Sequence, residues 1–155
     1  MTTLNHAVTG ALIAVAVKTP ELAIPLALLS HYVCDAIPHF GIHEHDHVKR
    51  NASPLFRAVT ISSVAGMLLL LALAPLHTYH GVSWVTVVAC IVAAALPDIV
   101  WVPMYIREVK SKQEKPMGKF DRFHQAIQWY EKPLGLSVEA IWLLSTSFML
   151  WFIAK

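Results

Sequence analysis

His31 and Asp35 stand four residues apart in an apolar run that ends at Pro38. On a helix, that spacing puts both side chains on one face. A neutral imidazole and a carboxylate placed so can share one divalent metal, with nitrogen and oxygen contacts at about 2.0 to 2.2 Å. The pair is not isolated. His6, Asp98 and Glu139 also fall inside apolar runs, and His39 and His124 lie close to them. Ionisable groups in a membrane segment are costly and by default mark function. Gly10, one turn past His6, lets a neighbouring helix approach closely. Pro97, immediately before Asp98, loosens its helix and frees backbone carbonyls beside the acid. His124 shares a face with Phe120 and Ile127, which turns it towards a membrane-side pocket rather than bulk water.

The elements that must position these groups follow from composition. The chain has 155 residues, enough for one domain. It is 56% hydrophobic and only 14% charged, with a mean hydropathy of +0.55. A soluble domain carries about 25% charged residues, and one this small keeps much of its surface exposed. Those values exclude a water-soluble monomer, a disordered chain and a nucleic-acid module with a broad basic face. A net charge of +2 implies no polyanionic partner. The expected fold is all-α: a polytopic membrane helix bundle of four or five segments, about 4–17, 20–37, 55–76, 82–106 and 134–154, forming one integral membrane domain. The first two make a short hairpin, spanning or re-entrant. Thr19-Pro20-Glu21 signals the start of the second, and Pro38 ends it. Phe120, Phe123, Ile127 and Tyr130 recur at helical spacing, which predicts an amphipathic surface helix over about 119–131. Cys34 and Cys90 lie in apolar runs and read as packing thiols. Met1 to Asn5 carry no Lys or Arg, so no cleaved leader is expected.

Ten of the twelve Lys and Arg residues fall in two loops, between the second and third segments and between the fourth and fifth. The positive-inside rule puts both loops, and the N-terminus, on the cytoplasmic side of an inner membrane, with the turn from His77 to Gly81 outside. On that topology His6, His31, Asp35, His39, Asp98, His124 and Glu139 all reach one cytoplasmic-side layer. Blander readings exist for each. A His-x3-Asp pair serves as an interhelical contact, and Glu139 pairs with Lys132 or reaches the interface. His39 joins the layer only if Pro38 bends the chain. The run His43-Glu44-His45-Asp46-His47 is either a solvated connector or a second metal or proton-shuttle loop.

Asn5-His6 with Gly10, Ser30-His31-x3-Asp35 with Pro38-His39, and Leu96-Pro97-Asp98 resemble the YdjM-like membrane-bound metal-dependent hydrolases. The His31-x3-Asp35 element also resembles a metal-ligand pair of zinc-dependent phospholipase C. The resemblance covers the first forty residues and the Asp98 region. It implies His6, His31, Asp35 and His39 as metal-site residues, with Asp98 completing the set around a divalent metal, zinc by expectation. Where that family has a His-Arg-x3-Thr-His-Ser-like run, this chain has the 43–47 run followed by Arg57.

The expected function is hydrolysis of a membrane lipid, a lipid-linked substrate or a phosphoester at the cytoplasmic-side interface. Asp98 or Glu139 would act as general base, with His124, Lys119 and Arg122 meeting phosphate at the mouth. Two other classes stand beside it: a small proton- or ion-coupled transporter or channel, and a non-enzymatic membrane regulatory protein.

Overall fold

The computed structural model describes residues 1–42, 53–111 and 118–154. Six helices follow in order: α1 (Thr3–Val17), α2 (Pro20–Ala36), α3 (Pro54–Leu73), α4 (Trp84–Ser111), α5 (Lys119–Ile127) and α6 (Gly135–Ile153). A 3-10 turn, Ala74–Leu76, extends α3. Two short strands, β1 (His39–Phe40) and β2 (Glu131–Lys132), pair in parallel, with His39 opposite Glu131. The run 43–47 lies outside the described residues.

Among the described residues, three stretches are long and apolar enough to cross a membrane: Pro54–Leu76, Trp84–Arg107 and Gly135–Ile153. Their outward faces carry large apolar side chains, among them Leu69, Phe148 and Phe152, each at least 60% exposed. Water would penalise such a surface, whereas lipid would not. The chain therefore reads as a membrane protein. The two helices of the N-terminal hairpin have 15 and 17 residues, short of the roughly 20 a perpendicular crossing takes.

The short α1 is the inner helix of the bundle. It packs against α2, α3, α4 and α6, and Asn5 to Ala11 are buried without a break. Small residues make that possible. A Cβ on Gly10 would come within 2.4 Å of the Cys90 carbonyl oxygen, so α1 and α4 touch backbone to backbone. The core is built from Ala7, Ala11, Ala14, Ala23, Ala27, Ala94 and their neighbours, with Cys34 and Cys90 buried as free thiols. Lys18, in the left-handed region at φ 68°, turns the chain from α1 into α2. Thr19 is the residue before α2, but its hydroxyl makes no cap bond there. The hairpin is tight, so its two open ends return to one end of the bundle. The side chain of Lys18 lies over Gly81 at the other.

The predicted surface helix is shorter than its apolar spacing suggests. It stops at Ile127 and Tyr130 lies beyond it. Pro133 disfavours helix in the residue before it, and β1 takes the backbone instead. His39 N donates to Tyr130 O at 3.4 Å and Gly41 N to Lys132 O at 3.3 Å. Gly135 lets α6 begin against this strand, since a Cβ there would fall 2.0 Å from the His39 carbonyl oxygen.

Candidate functional site

Local helix geometry sets the first pair. His31 and Asp35 both sit on the inner face of α2, fully buried, with His31 Nε2 3.2 Å from Asp35 Oδ2. The rest of the site comes from other helices. His6, near the start of α1, puts Nε2 3.1 Å from Asp35 Oδ1 and stacks its ring on that of His31, centroids 4.0 Å apart. His124 reaches in from α5, with Nε2 3.0 Å from Asp35 Oδ2 and 3.0 Å from His31 Nε2. Asp98, half-buried on α4, has Oδ1 3.8 Å from His31 Nε2. Its Oδ2 accepts from the Thr3 hydroxyl at 3.1 Å. The Met1 amino group meets Asp35 Oδ1.

The tautomer of His31 is fixed by its partner. Nδ1 lies 2.8 Å from the carbonyl oxygen of Ala94 on α4. A carbonyl only accepts, so Nδ1 carries the proton, and in the neutral ring Nε2 then presents its lone pair to the cluster. Pro97 lacks an N–H for the carbonyl one turn earlier, that of Ala93. The carbonyl that binds His31 is its neighbour, Ala94, using a second lone pair.

Two overlapping groups follow: His6, His31 and Asp98, and His31, Asp35 and His124. Their chemistry fits a divalent ion. Two ligand atoms of a tetrahedral ion with contacts of about 2.1 Å stand about 3.4 Å apart. The three separations within the second group, 3.0, 3.0 and 3.2 Å, need to open by only a few tenths of an ångström. A ring nitrogen bonded to a backbone carbonyl, with the other nitrogen turned to the ligand set, is the usual arrangement of a metal-binding histidine.

Glu139 and His39 stand apart from these two groups. Glu139, buried near the start of α6, accepts from Phe40 N (3.0 Å), Thr2 N (3.1 Å) and Asn5 Nδ2 (3.0 Å). It ties β1, α1 and α6 together. His39 does leave the line of α2, because the helix stops at Ala36 and the chain bends into β1. Its ring faces Glu131 rather than Asp35, with Nε2 3.7 Å from Glu131 Oε1.

Four contributors were not singled out from sequence. Gln128 donates to Asp35 Oδ2 at 3.0 Å, Thr3 holds Asp98, Ala94 O orients His31, and Glu131 faces His39. Gln128 had a signal, since it follows His124 by four residues and so lies below it on one face. The others are contacts between elements and have none. A cavity of about 200 Å³ opens beside the cluster. Asp98, His124, His39 and Glu131 line its polar side, and Phe56 and Trp101 its apolar side. No family model, curated protein or solved structure matches the chain.

Proposed function

We propose that the chain is a membrane-embedded, metal-dependent hydrolase acting on a lipid or lipid-linked phosphoester at the cytoplasmic-side interface. The observation that carries this reading is the convergence on one point of His31 Nε2, His124 Nε2 and the Asp35 carboxylate. The His31 tautomer is already set by Ala94 O. His31, Asp35 and His124 would hold the ion, with His6 beside them. A bound divalent ion, zinc by preference for nitrogen and carboxylate donors, would polarise the scissile group and supply nucleophilic water near neutral pH. Asp98, held by Thr3 and open to the cavity, takes the proton from the attacking water. Gln128 and His6 keep the Asp35 carboxylate from turning away.

The substrate class follows from the cavity. Its walls include Phe56 on α3 and Trp101 on α4, two helices that carry lipid-facing surface. A lipid reaches it by lateral movement, whereas a soluble charged metabolite would have to shed water. Lys119 and Arg122, exposed on α5 beside His124, suit an anionic headgroup. α5 then lies at the membrane surface, and the α1–α2 hairpin enters from the same side.

A proton relay is the competing class, because buried histidines and acids also serve relays. A relay needs such groups through the whole bilayer. Among the described residues, the fully buried histidines and acids are His6, His31, Asp35, His39, His124 and Glu139. All belong to the site end of the bundle, and Val15, Ala23, Val87 and Ile91 fill the core beyond it. That distribution favours hydrolysis.

The experiment is metal analysis of the purified protein together with turnover of phospholipid vesicles and of a soluble chromogenic phosphodiester, with and without chelator. Bound metal and chelator-sensitive lipid turnover are expected. Turnover of the soluble compound alone overturns the lipid reading. A metal-free, inactive protein overturns the hydrolase.

A further inference from the structure

The cavity beside the cluster is bordered on α3 by Phe56, Thr60 and Val64, and on α4 by Asp98, Trp101 and Val102. Residues three and four apart lie on one helix face, so each set is a single stripe, and the α3 stripe runs for about 12 Å. α1 packs against both helices. The Leu4 N–H donates to Ser63 Oγ at 2.7 Å on α3, and the Thr3 hydroxyl to Asp98 Oδ2 at 3.1 Å on α4. Val64 follows Ser63, and Val102 lies one turn beyond Asp98, so both valines stand near the level of the reacting groups.

Val64 and Val102 line the cavity and yet are 37% and 45% exposed. Ile61 and Leu68 share the face of Val64, Ile99 and Ile106 that of Val102, and all four are exposed. These rows belong to stretches apolar enough to cross a membrane. The opening between the two valines therefore faces lipid. The wall on α5 is different. It contributes Asp121, half-buried, and Gln125, exposed, so the cavity has a polar opening there. Size decides how much of a lipid can enter. The cavity, about 200 Å³, is smaller than the roughly 300–1,000 Å³ of pockets that enclose a drug-sized ligand. Only the reacting end of a lipid fits, and its chains must remain in the bilayer.

We infer that the lipid enters sideways between Val64 and Val102, with its chains left in the bilayer and its phosphoester drawn in to Asp98, while water and the polar product pass by Gln125. This rests on the hydrolase reading above and adds to it the route and the two residues that border it. Hydrolysis divides a lipid phosphoester into an apolar and a polar part. Each part leaves through the opening whose surroundings solvate it, so neither has to cross the medium that penalises it.

The test places the protein in phosphatidylglycerol vesicles in which some of the lipid carries a photoreactive diazirine on an acyl carbon near the glycerol. Adducts are mapped by mass spectrometry. In the wild type, label is expected on residues 59–64 and 101–105 as well as on the lipid-facing surface of α6. Val102→Trp and, separately, Val64→Trp should remove the first set and leave the second. Both positions are exposed, so a bulky apolar side chain there threatens folding little. Gln125→Trp, at the polar opening, should leave the label between α3 and α4 intact. With zinc added, the two valine variants should lose about 10-fold or more on the lipid, a barrier higher by about 1.4 kcal/mol. Their metal content and their turnover of a soluble chromogenic phosphodiester should stay at the wild-type level. Label that is absent between α3 and α4, that survives in both valine variants or that disappears equally in Gln125→Trp overturns the inference while the hydrolase reading stands. Equal losses on lipid and soluble compound do the same. If the wild type cleaves neither compound, the hydrolase reading falls and the labelling alone decides the route.

Discussion

Gly10→Ala tests whether the packing of α1 on α4 sets the metal site. The added Cβ would lie 2.4 Å from Cys90 O and 2.9 Å from Ala94 Cβ. Ordinary carbon–oxygen contacts lie near 3.4 Å, so the two helices must part by about 1 Å at this level. Both obstacles are backbone or a β-carbon and cannot rotate away. Overpacking of this kind costs about 1–3 kcal/mol. The displacement falls where it matters, because Ala94 also supplies the carbonyl that orients His31 through a 2.8 Å bond. Stretching or losing that bond frees the imidazole to turn, and loss of such an outer contact typically weakens metal binding by about 10-fold to 100-fold. Gly66→Ala is the control. Its Cβ would meet Leu4 Cδ2 at 2.9 Å, the far end of a flexible side chain, and the change gains about 1 kcal/mol of helix propensity. Both variants are titrated with zinc against a competing chelator, and their thermal unfolding is followed by circular dichroism in detergent. Gly10→Ala is expected to bind zinc more weakly and melt earlier, with Gly66→Ala close to wild type. Equal affinity and equal melting in the two variants would refute the link between helix approach and His31.

Other expectations follow from the same contacts. Asp35→Asn should lose most bound metal by elemental analysis while the protein still inserts; full occupancy would reduce His31 and Asp35 to a plain interhelical contact. Zinc affinity measured by the same chelator competition should fall as the pH is lowered, because protons compete for the histidine lone pairs; a flat profile would exclude histidine ligands. Glu139→Gln turns an amide N–H towards the donors of Phe40, Thr2 and Asn5 and should cost about 1–3 kcal/mol of stability, read by thermal unfolding; an unchanged melt would mean that Glu139 does not tie these elements together. Reporter fusions at Lys112 and His80 should read cytoplasmic and external respectively, and opposite readings would put the site on the outer face.

Much of the bundle is legible in the residues themselves. Apolar runs of sufficient length dictate α3, α4 and α6 because an unpaired backbone cannot remain in lipid. Their ends fall within a few residues of the expected ones except at Ser111, where α4 runs on past Ile106 into the polar stretch. Prolines at 20 and 38 bound α2 for a local reason, the missing N–H and the fixed backbone angle. The His31–Asp35 pair is equally local, since helix pitch alone aligns residues four apart.

Tertiary structure decided the rest. That His124 closes on Asp35 depends on how α5 docks against α2, and no periodicity within α5 encodes its partner. The His31 tautomer depends on a backbone carbonyl, which has no residue type to read. Glu139 and His39 look alike in sequence as ionisable groups near the same layer, yet one is used up by three donors and the other keeps a bare ring nitrogen. The difference comes from the β1–β2 pair, four residues long in all, too short to leave a pattern. It exists because Gly135 lets α6 start against the His39 carbonyl. Spacing along the chain fixes what a helix presents on each face, but the contact between faces is fixed only when the helices pack.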